Sequence, residues 1–112
     1  MPAPRNIFSG LPEEPGSESF LTLFEVAGVK IERIVSRSHA SPEDFWYDQE
    51  HDEWVLTLKG EAILEFEEGE RVGMKTGDYL LIPKHTRHRV ERTSEETLWL
   101  AIHVGTGPVI PC

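Results

Sequence analysis

Between Phe20 and Val104 the chain keeps returning to one pattern: short runs, most of them alternating apolar and polar residues, broken by turn formers. The runs are FLTLFEVA (20–27), KIERIVSR (30–37), EWVLTLKG (53–60), EAILEFEE (61–68), ERVGMK (70–75), DYLLIP (78–83), HRVERT (88–93) and TLWLAIHV (97–104). Their period of two and their β-branched and aromatic content predict strands. The breaks hold turn residues: Ala27-Gly28, Lys59-Gly60, Glu68-Gly69-Glu70, Thr76-Gly77-Asp78 and Thr93-Ser94. About eight strands at short spacing, with no long helix between them, predict an all-β sandwich or barrel. The one helix-like signal is Ser41-Pro42-Glu43-Asp44, which offers an N-cap, a proline at the first helical position and early acids, and predicts a single turn. No internal repeat is visible.

Some runs are apolar on both faces, WVLTL and YLLIP among them. An interior-facing set accounts for half of those residues. The other half needs cover from the second sheet, from the N-terminal segment or from another subunit. A homodimer is expected, as the commonest closed assembly. Residues 1–19 are rich in Pro, Gly, Ser and Glu and read as an irregular arm, with Ile7, Phe8 and Leu11 available to dock; residues 20–112 read as the barrel domain.

Composition narrows the function classes. A chain of 112 residues fits one domain and buries roughly two thirds of its unfolded surface. With 11 basic and 20 acidic residues the formal net charge is −9, which repels phosphate backbones and anionic lipid, so nucleic acid is not an expected partner. Lys84, Arg87, Arg89 and Arg92 form a local basic cluster suited to a small anion. The single cysteine, Cys112, excludes a disulfide within the chain and reads as a frayed terminal thiol. The N-terminal MPAPRNIFSG lacks an apolar signal core. No apolar run approaches the ~20 residues that span a bilayer, so a soluble cytoplasmic protein is expected.

Two segments concentrate ligand-capable side chains beside apolar strands: YDQEHDEWVLTLKG (47–60) and GDYLLIPKHTRHRVER (77–92). Neither contains a phosphate-binding glycine loop, a nucleophile motif or paired C-x-x-C. Glu53, six residues and Gly60 form the first pattern; Gly77, five residues, Pro83 and then His88 form the second. Together they resemble the two motifs of the cupin superfamily, over roughly residues 20–104. The resemblance implies a jelly-roll barrel, the double-stranded β-helix, with its site at these two segments, but many activities share that fold.

The chain departs from the family pattern at several positions. The usual His-x-His positions hold Tyr47 and Gln49, a usual glycine is His85, and a usual terminal asparagine is Arg92. Of the four ligands that the resemblance implies, Glu53 and His88 remain. A divalent metal takes about four to six ligands. His51 lies two residues before Glu53 and shares its face on an extended strand, so Gln49, His51, Glu53 and His88 are the expected metal set. Tyr47 has the same parity and is expected as an acid, a ligand or a pocket wall.

Each residue also has a plainer reading. Glu53 pairs with Arg87 or Arg89; His88 is a hydrogen-bonded structural histidine; His51 is a solvated loop residue; His103 faces either way. His85 is read as adopting the positive φ of the glycine it replaces. The expectation is a protein that binds a divalent metal (Zn, Fe, Ni or Mn) and acts on a sugar or organic acid, with Tyr47 and His88 catalytic. Isomerase, lyase and dioxygenase chemistry are all open. Two alternatives stand beside it. One is a metal-free epimerase using His88 or His51 with Tyr47. The other is a ligand-binding or sensing barrel without turnover.

Overall fold

Every alternating run becomes a strand because its apolar half has a sheet to face. The computed structural model describes residues 2–105, so Cys112 lies outside the described residues. The strands are β1 (Glu18–Val26), β2 (Val29–Ser36), β3 (Asp52–Lys59), β4 (Glu61–Phe66), β5 (Arg71–Lys75), β6 (Tyr79–Ile82), β7 (His88–Thr93) and β8 (Thr97–Val104). They form a five-stranded sheet, β1-β2-β8-β3-β6, and a three-stranded sheet, β5-β4-β7. All pairings are antiparallel. The fold is all-β, a double-stranded β-helix of jelly-roll type. Among the described residues no helix is long and apolar enough to cross a membrane.

The two sheets meet over Ile34, Val55, Ala62, Leu64, Met74, Ile82, Val90, Trp99 and Ala101. These are the inward positions of their strands, as the period of two requires. The Trp99 indole N–H donates to the Ser36 hydroxyl at 3.2 Å, which satisfies a polar group that burial would otherwise strand. The Ser41–Asp44 segment makes a turn closed by the Phe45 N–H on the Pro42 carbonyl at 3.0 Å. Ser41 caps no helix: its hydroxyl accepts the Val90 N–H at 3.1 Å.

One glycine is required by both conformation and space. Gly60 turns β3 into β4 at φ +87°, and a Cβ there would collide with the Glu96 carbonyl, the Ser94 hydroxyl and the Thr97 hydroxyl.

The N-terminal arm is held by an arginine rather than by its own apolar side chains. Arg33 is buried on the outer face of β2 and donates to the carbonyls of Ile7 at 3.1 Å, Ser9 at 2.7 Å and Gly10 at 3.4 Å. Arg37 adds a bond to the Pro12 carbonyl at 3.0 Å. Of the three expected docking residues, Phe8 is exposed, while Ile7 and Leu11 are half-buried. The guanidinium suits this task because its planar fork reaches several carbonyls at once. Arg33→Ala is expected to release the arm, making residues 2–12 sensitive to limited proteolysis and costing about 2 kcal/mol in urea unfolding. An arm as protease-resistant as that of the wild type would contradict this account.

Candidate functional site

The inner face of the five-stranded sheet carries three ionisable residues at one end of the barrel. Glu53 on β3 is paired in register with His103 on β8, and Glu32 on β2 reaches the same end. Tyr47 and Gln49, in the loop before β3, and His88, opening β7, close the ring from the other side. These side chains, with Glu18 and Phe20 of β1, line a cavity of about 70 Å³ whose floor is Ile34, Val55, Leu64, Ile82, Val90 and Trp99. That is small beside the ~300–1,000 Å³ of drug-sized sites, so the buried end takes only a few atoms of any ligand.

Backbone pairing between the two motif segments positions the polar groups. The Tyr47 N–H donates to the His88 carbonyl at 2.7 Å, and the His88 N–H to the Tyr47 carbonyl at 3.1 Å. The two rings stack, with centroids 5.4 Å apart and planes 25° from parallel. Two residues on, the His85 N–H donates to the Gln49 carbonyl at 2.7 Å, and the Lys84 N–H to Asp52 Oδ1 at 2.9 Å. His85 has φ 60°. It takes the left-handed conformation expected where a glycine is usual, and so the connection bends back onto the Gln49 loop.

His88 is fixed in direction. Its Nδ1 lies 2.8 Å from the Thr86 carbonyl. A carbonyl only accepts, so Nδ1 carries the hydrogen, and in the neutral ring Nε2 holds a free lone pair. Nε2 faces Glu53 Oε1 at 4.0 Å, both side chains being buried. Burial raises the Glu53 carboxyl above the usual carboxylate range; His103, His88 and a bond from Gln49 oppose that rise, and Glu32 adds to it. Glu53 is therefore a carboxyl that holds its proton at a higher pH than its surface counterparts.

Tyr47 donates its hydroxyl to Glu18 Oε1 at 3.2 Å. Burial first, and then the Glu18 charge, push the phenol well above its ordinary value. Tyr47 therefore stays protonated and serves as a donor; it does not serve as a base.

A second constellation was not assembled from the sequence. His103 Nε2 lies 2.8 Å from Glu32 Oε1, and His103 Nδ1 lies 2.8 Å from His51 Nε2. The carboxylate accepts, so His103 Nε2 carries the hydrogen, and the neutral ring then accepts from the His51 Nε2–H. Burial alone would raise Glu32, but the His103 bond and charge, with Lys30, bring it below its usual value. His51 is lowered by burial and by the neighbouring His103 and Lys30.

Four of the expected site residues therefore converge: Tyr47, Gln49, Glu53 and His88 line the cavity. His51 does not line it, because its ring is turned onto His103 in an edge contact at 4.8 Å between centroids. The donor set does not fit a divalent metal in this arrangement. Among the described residues no three His, Cys, Asp or Glu side chains are grouped to hold one. Both His103 nitrogens are engaged, and Gln49 offers a neutral amide. Glu32 is engaged by His103 and Lys30 and Glu18 by Tyr47 and Ser36, which leaves Glu53 and His88, two donors where about four are needed.

Two plainer expectations are also corrected. Glu53 pairs with neither arginine: Arg87 pairs with Glu67 and Arg89 with Glu65 at 3.2 Å. Arg89 also donates to the Ser41 carbonyl at 2.6 Å, so these two members of the basic cluster are spent internally. Glu18 and Glu32 were the residues missed, and His103, left open as facing either way, faces the cavity. Glu32 carried a usable signal, since it is a carboxylate at an inward position beside Ile34 in KIERIVSR.

Comparison with known proteins extends this picture. The family described as "Cupin domain" matches residues 37–103. A protein from Ralstonia eutropha JMP134, provisionally named a mannose-6-phosphate isomerase, is 44% identical, with a TM-score of 0.87 over 94% of this chain and 100% of that one. A cupin family protein with a double-stranded β-helix fold, from Methanocaldococcus jannaschii, is 16% identical, with a TM-score of 0.67 over 85% of this chain and 86% of that one, a likeness of fold alone. The uncharacterized YdbB of Bacillus subtilis is 39% identical over 46 residues, 41% of each chain. The matched segments span less than half the length of such curated relatives.

Proposed function

The chain belongs to the cupin domain family, and on that premise we propose that it isomerises a small, neutral hydroxycarbonyl compound of the sugar type by acid–base chemistry. The observation that carries this reading is the buried pair of His88 Nε2 and Glu53 Oε1, held 4.0 Å apart and facing each other. They are too far apart to bond directly, and both can reach adjacent atoms of one ligand unit lying alongside them. The bare Nε2 is a base. The Glu53 carboxyl, its pKa raised by burial, is an acid.

In this reading His88 Nε2 takes the proton from the hydroxyl-bearing carbon, and Glu53 gives its proton to the neighbouring carbonyl oxygen. The product of that step is an enediol. His88 then returns its proton to the former carbonyl carbon, and the original hydroxyl passes its proton back to Glu53. The atoms balance and a carbonyl has moved by one carbon. Tyr47, kept protonated by burial and Glu18, gives its O–H to Glu18 and accepts from a ligand hydroxyl on its phenol oxygen. No step passes through a metal.

The ligand class follows from the lining. Glu18, Glu32 and Glu53 line the cavity and no Lys or Arg does. Carboxylates accept from hydroxyls and repel phosphate, so a phosphorylated ligand would keep its phosphate outside the cavity. The name carried by the Ralstonia relative supports a sugar-related substrate.

Deuterium exchange tests the reading directly. Chelator-treated protein in D2O is incubated with glyceraldehyde, dihydroxyacetone and a panel of unphosphorylated aldoses, and exchange at the carbon next to the carbonyl is followed by NMR. Exchange at least ~100-fold above buffer is expected for one of them, and His88→Gln should abolish it. No exchange across the panel, equal exchange in His88→Gln, or exchange that returns only with added metal would each refute it.

A further inference from the structure

Three neighbouring strands set a row of polar side chains across the five-stranded sheet. Glu32 comes from β2, His103 from β8, and His51 from the position just before β3. Glu32 and His103 line the cavity, and His51 does not. His51 is half-buried, so its ring reaches solvent. The row therefore crosses the cavity wall. None of the isomerisation steps uses it.

Every hydrogen in the row points the same way. The Glu32 carboxyl is held below its usual range by His103 and Lys30, so near neutral pH it is ionised and only accepts. Its Oε1 lies 2.8 Å from His103 Nε2, which carries the hydrogen. In the neutral ring His103 Nδ1 is then bare. His51 Nε2 lies 2.8 Å from that bare atom and carries a hydrogen toward it, which leaves His51 Nδ1 bare in turn. Among the described residues nothing bonds to His51 Nδ1. Each ring thus accepts at one nitrogen and donates at the other, in series, over two links of ordinary hydrogen-bond length.

We propose that His51 is a proton port, and that His51, His103 and Glu32 relay protons between solvent and the cavity. A proton from water binds His51 Nδ1. His51 passes the hydrogen on its Nε2 to His103 Nδ1. His103 passes the hydrogen on its Nε2 to Glu32 Oε1. One proton has entered and one has arrived. Both rings end neutral, with the hydrogen moved from Nε2 to Nδ1, and the reverse sequence resets them. The relay therefore exchanges cavity protons with those of solvent.

The surroundings suit this task. Lys30 Nζ lies 3.6 Å from Glu32 Oε2 and favours the ionised carboxylate, so Glu32 hands a proton on and does not store it. Glu53 is the register partner of His103 and lines the same cavity as Glu32. The relay thus ends in the compartment that holds the Glu53 carboxyl. It runs through side chains of the wall, so protons reach that compartment while a ligand is in place.

NMR of the full chain, with 15N in its histidine rings, tests the relay. No substrate is present, so the isomerase reading can fail without touching the result. In the wild type near neutral pH, both His51 and His103 are expected as Nε2–H tautomers. Water should exchange readily with the His103 Nε2 hydrogen, although that residue is 5% exposed. In His51→Gln the amide still donates to His103 Nδ1 but passes no proton, and the exchange should slow ~100-fold. His39→Gln lies off the row and should exchange like the wild type. Both variants are checked for fold by circular dichroism. A His103 ring with its hydrogen on Nδ1, or a folded His51→Gln protein that exchanges as fast as the wild type, would overturn the proposal. So would a His39→Gln protein slowed as much as His51→Gln.

Discussion

Glu53→Gln is expected to abolish turnover while making the protein more stable. The carboxyl is 7% exposed, lies among apolar floor residues and has no cation bonded to it. Holding it there raises its pKa, and the cost of ionising it falls on the folded state. Glutamine keeps the shape and the hydrogen-bonding reach without the charge. The gain should be about 1 kcal/mol near neutral pH, which in a domain of this size shifts the melting temperature by roughly 4–8 °C. Exchange activity should fall ~100-fold or more, because the amide has no proton to give to the carbonyl oxygen.

The pH dependence follows from the direction of the shift. A carboxyl whose folded pKa is raised contributes its stability in full below the unfolded value, about 4.3. That contribution is lost as pH rises through the folded pKa, and stays lost above it. The difference in stability between wild type and Glu53→Gln should therefore open as pH rises through that window and then level off. Glu32, with its lowered pKa, acts in the opposite sense, and the difference between the two proteins cancels its own term and keeps its coupling to Glu53. Urea unfolding of both from pH 4 to 8 measures this. A parallel pair of stability curves would show that Glu53 ionises freely in the fold, and the acid role would go with it.

Gly60→Ala should be the most damaging single substitution outside the site, at about 3 kcal/mol. A left-handed backbone costs a non-glycine residue roughly 1–2 kcal/mol. The added methyl would also strike the Glu96 carbonyl and the hydroxyls of Ser94 and Thr97. Those hydroxyls bond to each other at 2.6 Å, and the Thr97 hydroxyl bonds to the Glu61 carbonyl at 3.2 Å. Any shift that makes room breaks a satisfied buried network. Chemical denaturation should show a lowered midpoint with an unchanged slope. A midpoint within 0.5 kcal/mol of the wild type would mean that the turn relaxes freely.

The eight strands were legible because alternation is a local property: a run such as EAILEFEE declares its inward face without reference to any other run. The locations of Tyr47, Gln49, Glu53 and His88 were legible because the two motif segments carry their own spacing. His85 was legible for a similar reason, since its left-handed φ of 60° is set by the local turn.

Pairing was not legible. Glu32, His103 and His51 are far apart in sequence, and the 2.8 Å contacts that join them exist only because β2, β8 and β3 lie side by side. Arg33, Arg87 and Arg89 read alike as surface cations. Only the fold decides that the first holds the arm while the others are spent on glutamates and carbonyls. The sequence by itself determined the strands, the turns and which segments meet ligands. The tertiary structure alone decided which side chains bond to which, because strand order is fixed by long-range packing and a local pattern carries no record of its neighbour.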